Sequence, residues 1–215
     1  MLDQIYPYTS AIITIIKDIT TLSNIKDITT IVTLSIGSYV AWQGLRTWKT
    51  QLKGTQNYDL AKSTLINLNK YVESIYQVRN PAILGGEYPK PTDVEKFNIH
   101  QNEKQYKEKC YVYQNRYDKI YNIKPYLQEN VIEIEVLWGE KLKNKFKQLF
   151  ALEFKLFIEI IMYIESFKNT DYEYKDMYSY DEKIIRATKE NDSFNDEINK
   201  IRTEIENDIK PYLTL

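Results

Sequence analysis

The sequence predicts an all-α protein: a single N-terminal transmembrane helix followed by an elongated antiparallel helical bundle. Three observations predict it. Residues 28–45, ITTIVTLSIGSYVAWQGL, carry no charge. Apolar residues then recur at three/four spacing in four stretches as far as Ile209, the period of a helix with one buried face. No alternation with a period of two persists anywhere, so no strand is expected. The implied division is a short N-terminal segment (1–27), the transmembrane helix (28–48) and a cytoplasmic helical bundle (49–215).

Composition narrows the function classes. A chain of 215 residues, 43% of them apolar, can fill a sizeable core. The formal net charge of −1 gives no global electrostatic case for nucleic acid, and none is expected as a partner. The 19 tyrosines accompany abundant Ile, Lys and Asn, which reads as coding bias rather than a tyrosine recognition surface. One cysteine, Cys110, and one histidine, His100, exclude an internal disulfide and a zinc site built from those ligands. No metal and no cofactor is expected.

In the N-terminal segment IKDITT occurs twice, at residues 16–21 and 25–30, too little chain to imply a repeat architecture. The uncharged run just reaches the ~18–20 residues that cross a ~30 Å hydrocarbon core. Thr29, Thr30, Thr33, Ser35, Ser38 and Gln43 dilute it. Trp42 and Trp48 fall where an interfacial aromatic belt would lie. Between residues 46 and 79 the basic residues Arg46, Lys49, Lys53, Lys62, Lys70 and Arg79 face only Asp59 and Glu73. The chain beyond residue 170 is acidic. Positive charge on the C-terminal flank places the bulk of the chain in the cytoplasm, at a bacterial inner (plasma) membrane. Thr30, Thr33, Gly37, Ala41 and Gly44 are three, four, four and three apart and share one face. Such a stripe of small residues lets two helices approach closely in lipid. Thr33, Gly37, Ala41 and Gly44 are therefore the candidate association residues of a homo-oligomer.

Four helices are expected next. The first covers residues 55–78, with the stripe Tyr58, Ala61, Leu65, Leu68, Val72 and Ile75. Pro81, Gly85, Gly86, Pro89 and Pro91 then break the chain. Thr92 and Glu95 form a capping-box pattern for the second helix, whose stripe is Ile99, Tyr106, Cys110, Tyr113, Tyr117 and Ile120. Lys124-Pro125 is expected to close it. The third runs over residues 126–167, through Val131, Ile134, Trp138, Leu142, Phe146, Leu149, Leu156, Ile160, Tyr163 and Phe167. Gly139 could kink it. Its segment 149–164 is apolar nearly all round, which implies a central position, while Glu153, Lys155 and Glu159 argue against a second span. The fourth covers residues 181–209, with Phe194, Ile198, Ile201, Ile205 and Ile209 inward and Pro211 beyond its end.

Residues 48–83, WKTQLKGTQNYDLAKSTLINLNKYVESIYQVRNPAI, resemble an uncharacterised family of bacterial single-pass membrane-anchored helical proteins. The matching residues are Trp48, Lys49, Gln51 to Gly54, Tyr58 to Ala61 and Val78 to Pro81. Tyr71-Val72-Glu73 stands where that family often has an Arg-Asp pair. The resemblance implies the anchored topology and carries no activity.

No catalytic constellation emerges, and the chain is not expected to be an enzyme. Glu133 and Glu135 are two apart, so on a helix they diverge. Gly85-Gly86 lacks a phosphate-cradle pattern. His100 has no nucleophile near it in sequence, and Cys110 sits on an apolar stripe, where a buried inert thiol is expected. Lys141, Lys143, Lys145 and Lys147 spread around their helix as a solvated face. The functional expectation is a membrane-anchored, self-associating interaction protein with the lipid bilayer, copies of itself and an unknown protein as partners. The alternative is a membrane-perturbing effector of a bacterial defence or toxin system.

Overall fold

A computed structural model describes residues 6–90, 101–168, 179–188 and 190–214. The chain divides into two compact units, Met1–Gly54 and Thr55–Leu215. Among the described residues every regular element is helical. The elements are α1 (Tyr6–Val78), a 3-10 turn (Gly85–Glu87), α2 (Gln101–Trp138), α3 (Glu140–Glu165), α4 (Glu182–Ile185), α5 (Ser193–Ile209) and a closing 3-10 turn (Lys210–Leu213).

In the first unit the expected short leading segment is already part of α1, which begins at Tyr6. Pro7 falls in the first turn, where a missing N–H costs nothing. The expected transmembrane helix at 28–48 requires a correction. Among the described residues no helix is long and apolar enough to cross a membrane. The physical reason lies in the threonines, serines and Gln43 that interrupt the apolar residues, and in Lys26, Asp27 and Arg46, which cap the run at a bare minimum of length.

The second unit is an antiparallel four-helix bundle made from residues 55–78 of α1 with α2, α3 and α5. Pairings fix the directions. Asn57 meets Trp138, and Asn67 meets Asn130, so α1 and α2 run oppositely. Tyr113 packs on Tyr163, and Lys124 reaches Glu153, so α2 and α3 do too. Lys145 pairs with Asp208 across α3 and α5. The four expected stripes supply the core: Ala61, Leu68, Val72 and Ile75; Tyr113, Tyr117 and Ile120; Ile134, Phe146, Leu149 and Leu156; Phe194, Ile198, Ile205 and Ile209 are all buried.

Three expected boundaries move. Pro125 does not end α2, which continues to Trp138. The carbonyl that loses its donor is that of Tyr121, on an exposed turn, where water can serve it, and Leu127, Val131 and Ile134 stay buried beyond. The single long third helix is instead a hairpin that turns at Gly139. Its φ of 90° lies in the region that favours glycine. The fourth helix is split into α4 and α5, because Arg79 captures the carbonyls between them. Its Nε donates to the Ile184 carbonyl at 2.7 Å, and its Nη2 to those of Lys183 (2.9 Å) and Arg186 (3.3 Å). Nη2 also pairs with Asp192 at 2.8 Å. The Asp192 carboxylate in turn caps α5 by accepting the Asn195 N–H. The Thr92/Glu95 capping box and His100 lie outside the described residues.

A second arginine holds the break after α1. Arg116 of α2 donates to the carbonyls of Val78 (3.2 Å), Asn80 (2.6 Å) and Ala82 (2.7 Å), and it pairs with Glu87 through two hydrogen bonds. Residues 78–81, the VRNP element, are thus gripped from both sides. Burial would push the Asp192 carboxyl up, but the hydrogen bonds from Arg79, Asn195 and Thr188 outweigh it and hold the pKa below the ordinary value. A depressed carboxylate stabilises the fold above its unfolded pKa of about 3.9 and loses that effect as pH falls through the lower folded value.

Arg79→Met should therefore lower unfolding stability by about 3–5 kcal/mol, because it leaves a buried carboxylate unpaired. Asp192→Asn should be less stable than wild type at neutral pH. That difference should shrink as pH drops from about 5 towards 2, in urea titrations followed by circular dichroism. A gap independent of pH would show that Asp192 is not ionised in the folded protein.

Candidate functional site

The described part of the first unit is one helix whose large apolar side chains are exposed. Seventeen large apolar or aromatic side chains between Ile12 and Leu52 are each at least 46% exposed. They occur on every face: Ile31, Val32, Leu34 and Ile36 are consecutive or alternate along less than two turns. The polar side chains among them are largely self-satisfied. Thr20, Thr21, Thr29, Thr30, Thr33 and Ser35 each donate a hydroxyl hydrogen bond to a carbonyl four residues back. Such back-bonded hydroxyls ask little of their surroundings.

The structure places the candidate association residues Thr33, Gly37, Ala41 and Gly44 on one exposed face of α1. A Cβ built on Gly37 or Gly44 would meet nothing within 4 Å. A glycine inside a helix costs about 1 kcal/mol relative to alanine. No contact among the described residues offsets that cost at either position. On the other side, Tyr39 and Trp42 sit with ring centroids 6.3 Å apart, and the Arg46 guanidinium lies over Trp42 at 5.9 Å.

The second unit contains polar groups that the sequence did not single out as a site. Glu153 is buried in the bundle, although it was expected only as a charge arguing against a span. Its Oε2 accepts from Lys124 Nζ and, at 3.3 Å, from the Tyr71 hydroxyl. Burial first, and then the neighbouring Glu153 charge, push the Tyr71 and Tyr117 hydroxyls far above the ordinary tyrosine range. The Tyr117 hydroxyl is buried without a hydrogen-bond partner among the described residues. Beside it, α2 and α3 frame a groove of about 280 Å³ lined by Cys110, Tyr113, Tyr121, Phe157 and Ile161. Cys110 is half-buried on this groove rather than sealed in the core.

The segment 149–164 is not central on all sides, as its composition implied. Phe154, Ile158 and Ile161 point outward, four and three residues apart. The lysine run is partly consumed by ion pairs: Lys143 with Glu135, and Lys145 with Glu204 and Asp208. Glu133 is exposed, apart from Glu135. Among the described residues no group of three His, Cys, Asp or Glu side chains is placed to hold a metal ion. The buried cluster can neutralise a carboxylate within the core.

No family model matches the chain, and no curated protein or solved structure is similar to it.

The buried carboxylate sets an asymmetry that can be measured. Lys124 is a quarter exposed and can turn to water, whereas Glu153 cannot. Lys124→Ala should cost about 2 kcal/mol more unfolding free energy than Glu153→Gln, because only the former strands a buried charge. The double variant should recover most of that excess. Equal losses in the two single variants would mean that Glu153 reaches solvent.

Proposed function

We propose that this chain is a membrane-anchored, self-associating interaction protein, with the N-terminal part of α1 held in a bilayer among copies of itself. The carrying observation is the contrast between the units. The second buries its apolar stripes, while the first leaves seventeen large apolar residues uncovered. Covering one such side chain fully is worth about 1.5–3 kcal/mol, so together they represent more than about 20 kcal/mol. An uncovered surface of that size calls for an apolar environment.

Copies entering together answer the weakness of the single helix. Between helices in lipid, association depends on close backbone packing, which small side chains permit. Thr33, Gly37, Ala41 and Gly44 supply such a face, while Ile31, Val32, Tyr39 and Trp42 lie away from it, suited to lipid. A bacterial plasma membrane is part of this reading, and it rests on the resemblance read from residues 48–83 alone, which no comparison matched. The basic residues from Arg46 onward favour the cytoplasm for the remainder of the chain. The unpaired apolar face of α3 favours protein binding over catalysis as the role of the second unit.

Carbonate extraction of the expressed full chain tests the anchoring: the chain should stay with the membrane pellet. Release of intact protein into the supernatant would refute it and leave a water-borne assembly as the cover for α1. Self-association is read by crosslinking in membranes. Gly37→Ile or Ala41→Ile should weaken it about tenfold or more, and Val32→Ala should change it little. Because no described residue surrounds position 37, the isoleucine cannot act by disturbing the fold. Identical crosslinking in all three variants would show that this face is not the contact. Depolarisation and growth arrest on induction would move the reading to a membrane-perturbing effector.

A further inference from the structure

Tyr39, Trp42, Arg46, Lys49 and Lys53 are spaced three, four, three and four residues apart along α1. That spacing sets all five on one face, turned away from the small-residue stripe. All five are exposed. From the apolar end this face reads aromatic, aromatic, cation, cation, cation over about 21 Å of helix. We propose that this face is a binding surface for anionic phospholipid headgroups, with Arg46, Lys49 and Lys53 as the ligating cations. The proposal rests on the anchoring reading and names the lipid class that the anchor prefers.

Charge supports it first. No acidic residue occurs between Asp27 and Asp59, so the three cations have no counter-charge nearby in sequence. Lys49 and Lys53 join none of the ion pairs formed among the described residues. Among the same residues the Arg46 guanidinium makes only its contact with the Trp42 ring. In the second unit Lys143 and Lys145 are matched by Glu135, Glu204 and Asp208. On this face three cations follow one another at helical spacing with no carboxylate partner among the described residues.

Geometry supports it second. Arg46 and Lys53 lie about 10 Å apart along the axis. A headgroup layer is roughly 5–8 Å thick on each side of the hydrocarbon, and long basic side chains reach along it. Tyrosine and tryptophan one to two turns deeper occupy the level where amphipathic rings settle. Beside Arg46 the helix surface forms a recess of about 380 Å³ that includes Trp42, Gln43 and Gln51. The Thr47 and Thr50 hydroxyls there donate back to their own helix. The guanidinium and the Gln43 and Gln51 amides have no acceptor among the described residues, and a phosphate offers several.

The test uses the full chain reconstituted into phosphatidylcholine vesicles doped with dansyl-labelled phosphatidylglycerol or dansyl-labelled phosphatidylcholine. Tryptophan-to-dansyl energy transfer is read after flotation. Wild type should favour the anionic probe several-fold, since each basic residue at an anionic surface is worth about fivefold. The triple variant Arg46→Gln, Lys49→Gln, Lys53→Gln should float equally and lose that preference. A control with Lys141, Lys147 and Lys155 changed to Gln should keep it. Equal transfer from both probes in a wild type that floats would overturn this proposal alone and leave the cations to an acidic protein surface. Failure to float with either vesicle would overturn the anchoring reading and this inference with it.

Discussion

A helix satisfies its own backbone, so what α1 requires from its surroundings is set by its side chains. In the first unit large apolar side chains predominate between the charged positions Asp27 and Arg46. The hydroxyls that might have bound water are turned back onto carbonyls of the preceding turn, as with Thr29, Thr30 and Thr33. The large apolar side chains left outward are isoleucine, valine, leucine, tyrosine and tryptophan, on every side. Among the described residues no helix is long and apolar enough to cross a membrane, and on the proposed reading association would supply the cover that a single helix lacks.

The second unit meets its demands internally, and two arginines organise how. Arg79 at the end of α1 takes three carbonyls and a carboxylate from the α4–α5 region. Arg116 takes three carbonyls and a carboxylate around the break after α1. Each replaces helix termination by water with termination by a buried cation. Irregular backbone near 78–87 and 183–188 can then sit against the bundle without stranding its carbonyls. The polar groups within the core obey the same rule: Glu153 is tolerated because Lys124 and Tyr71 both reach it.

Much of this was legible in the sequence. The all-helical class and the four apolar stripes rest on period alone, and Phe194 to Ile209 fell inward as the spacing required. The boundaries were less legible. Pro125 signals a helix end locally, but the residues after it have a core to fill, and the carbonyl it frees faces solvent. The split between α4 and α5 depends on Arg79, more than a hundred residues away in sequence, and no local pattern announces it. Asp192 before Ser193 and Phe194 was a readable cap. The stripe of small residues could be read, but period alone says nothing about what covers it. The cationic ladder from Arg46 to Lys53 was visible only as a flank. Its placement with Tyr39 and Trp42 on one face emerges once the helix continues past Trp48 to Lys53.

The central claim is that α1 through the uncharged run is enclosed on all its faces in the working protein. The most direct measurement is cysteine accessibility in native membranes, on a Cys110→Ser background. Single cysteines would replace Val32, Gly37 and Tyr39, with Lys62→Cys, on an exposed position of the second unit, as reference. If the run is enclosed, a membrane-impermeant maleimide labels position 62 and leaves positions 32, 37 and 39 unlabelled until detergent dissolves the assembly. Ready labelling at all three faces in intact membranes would contradict it.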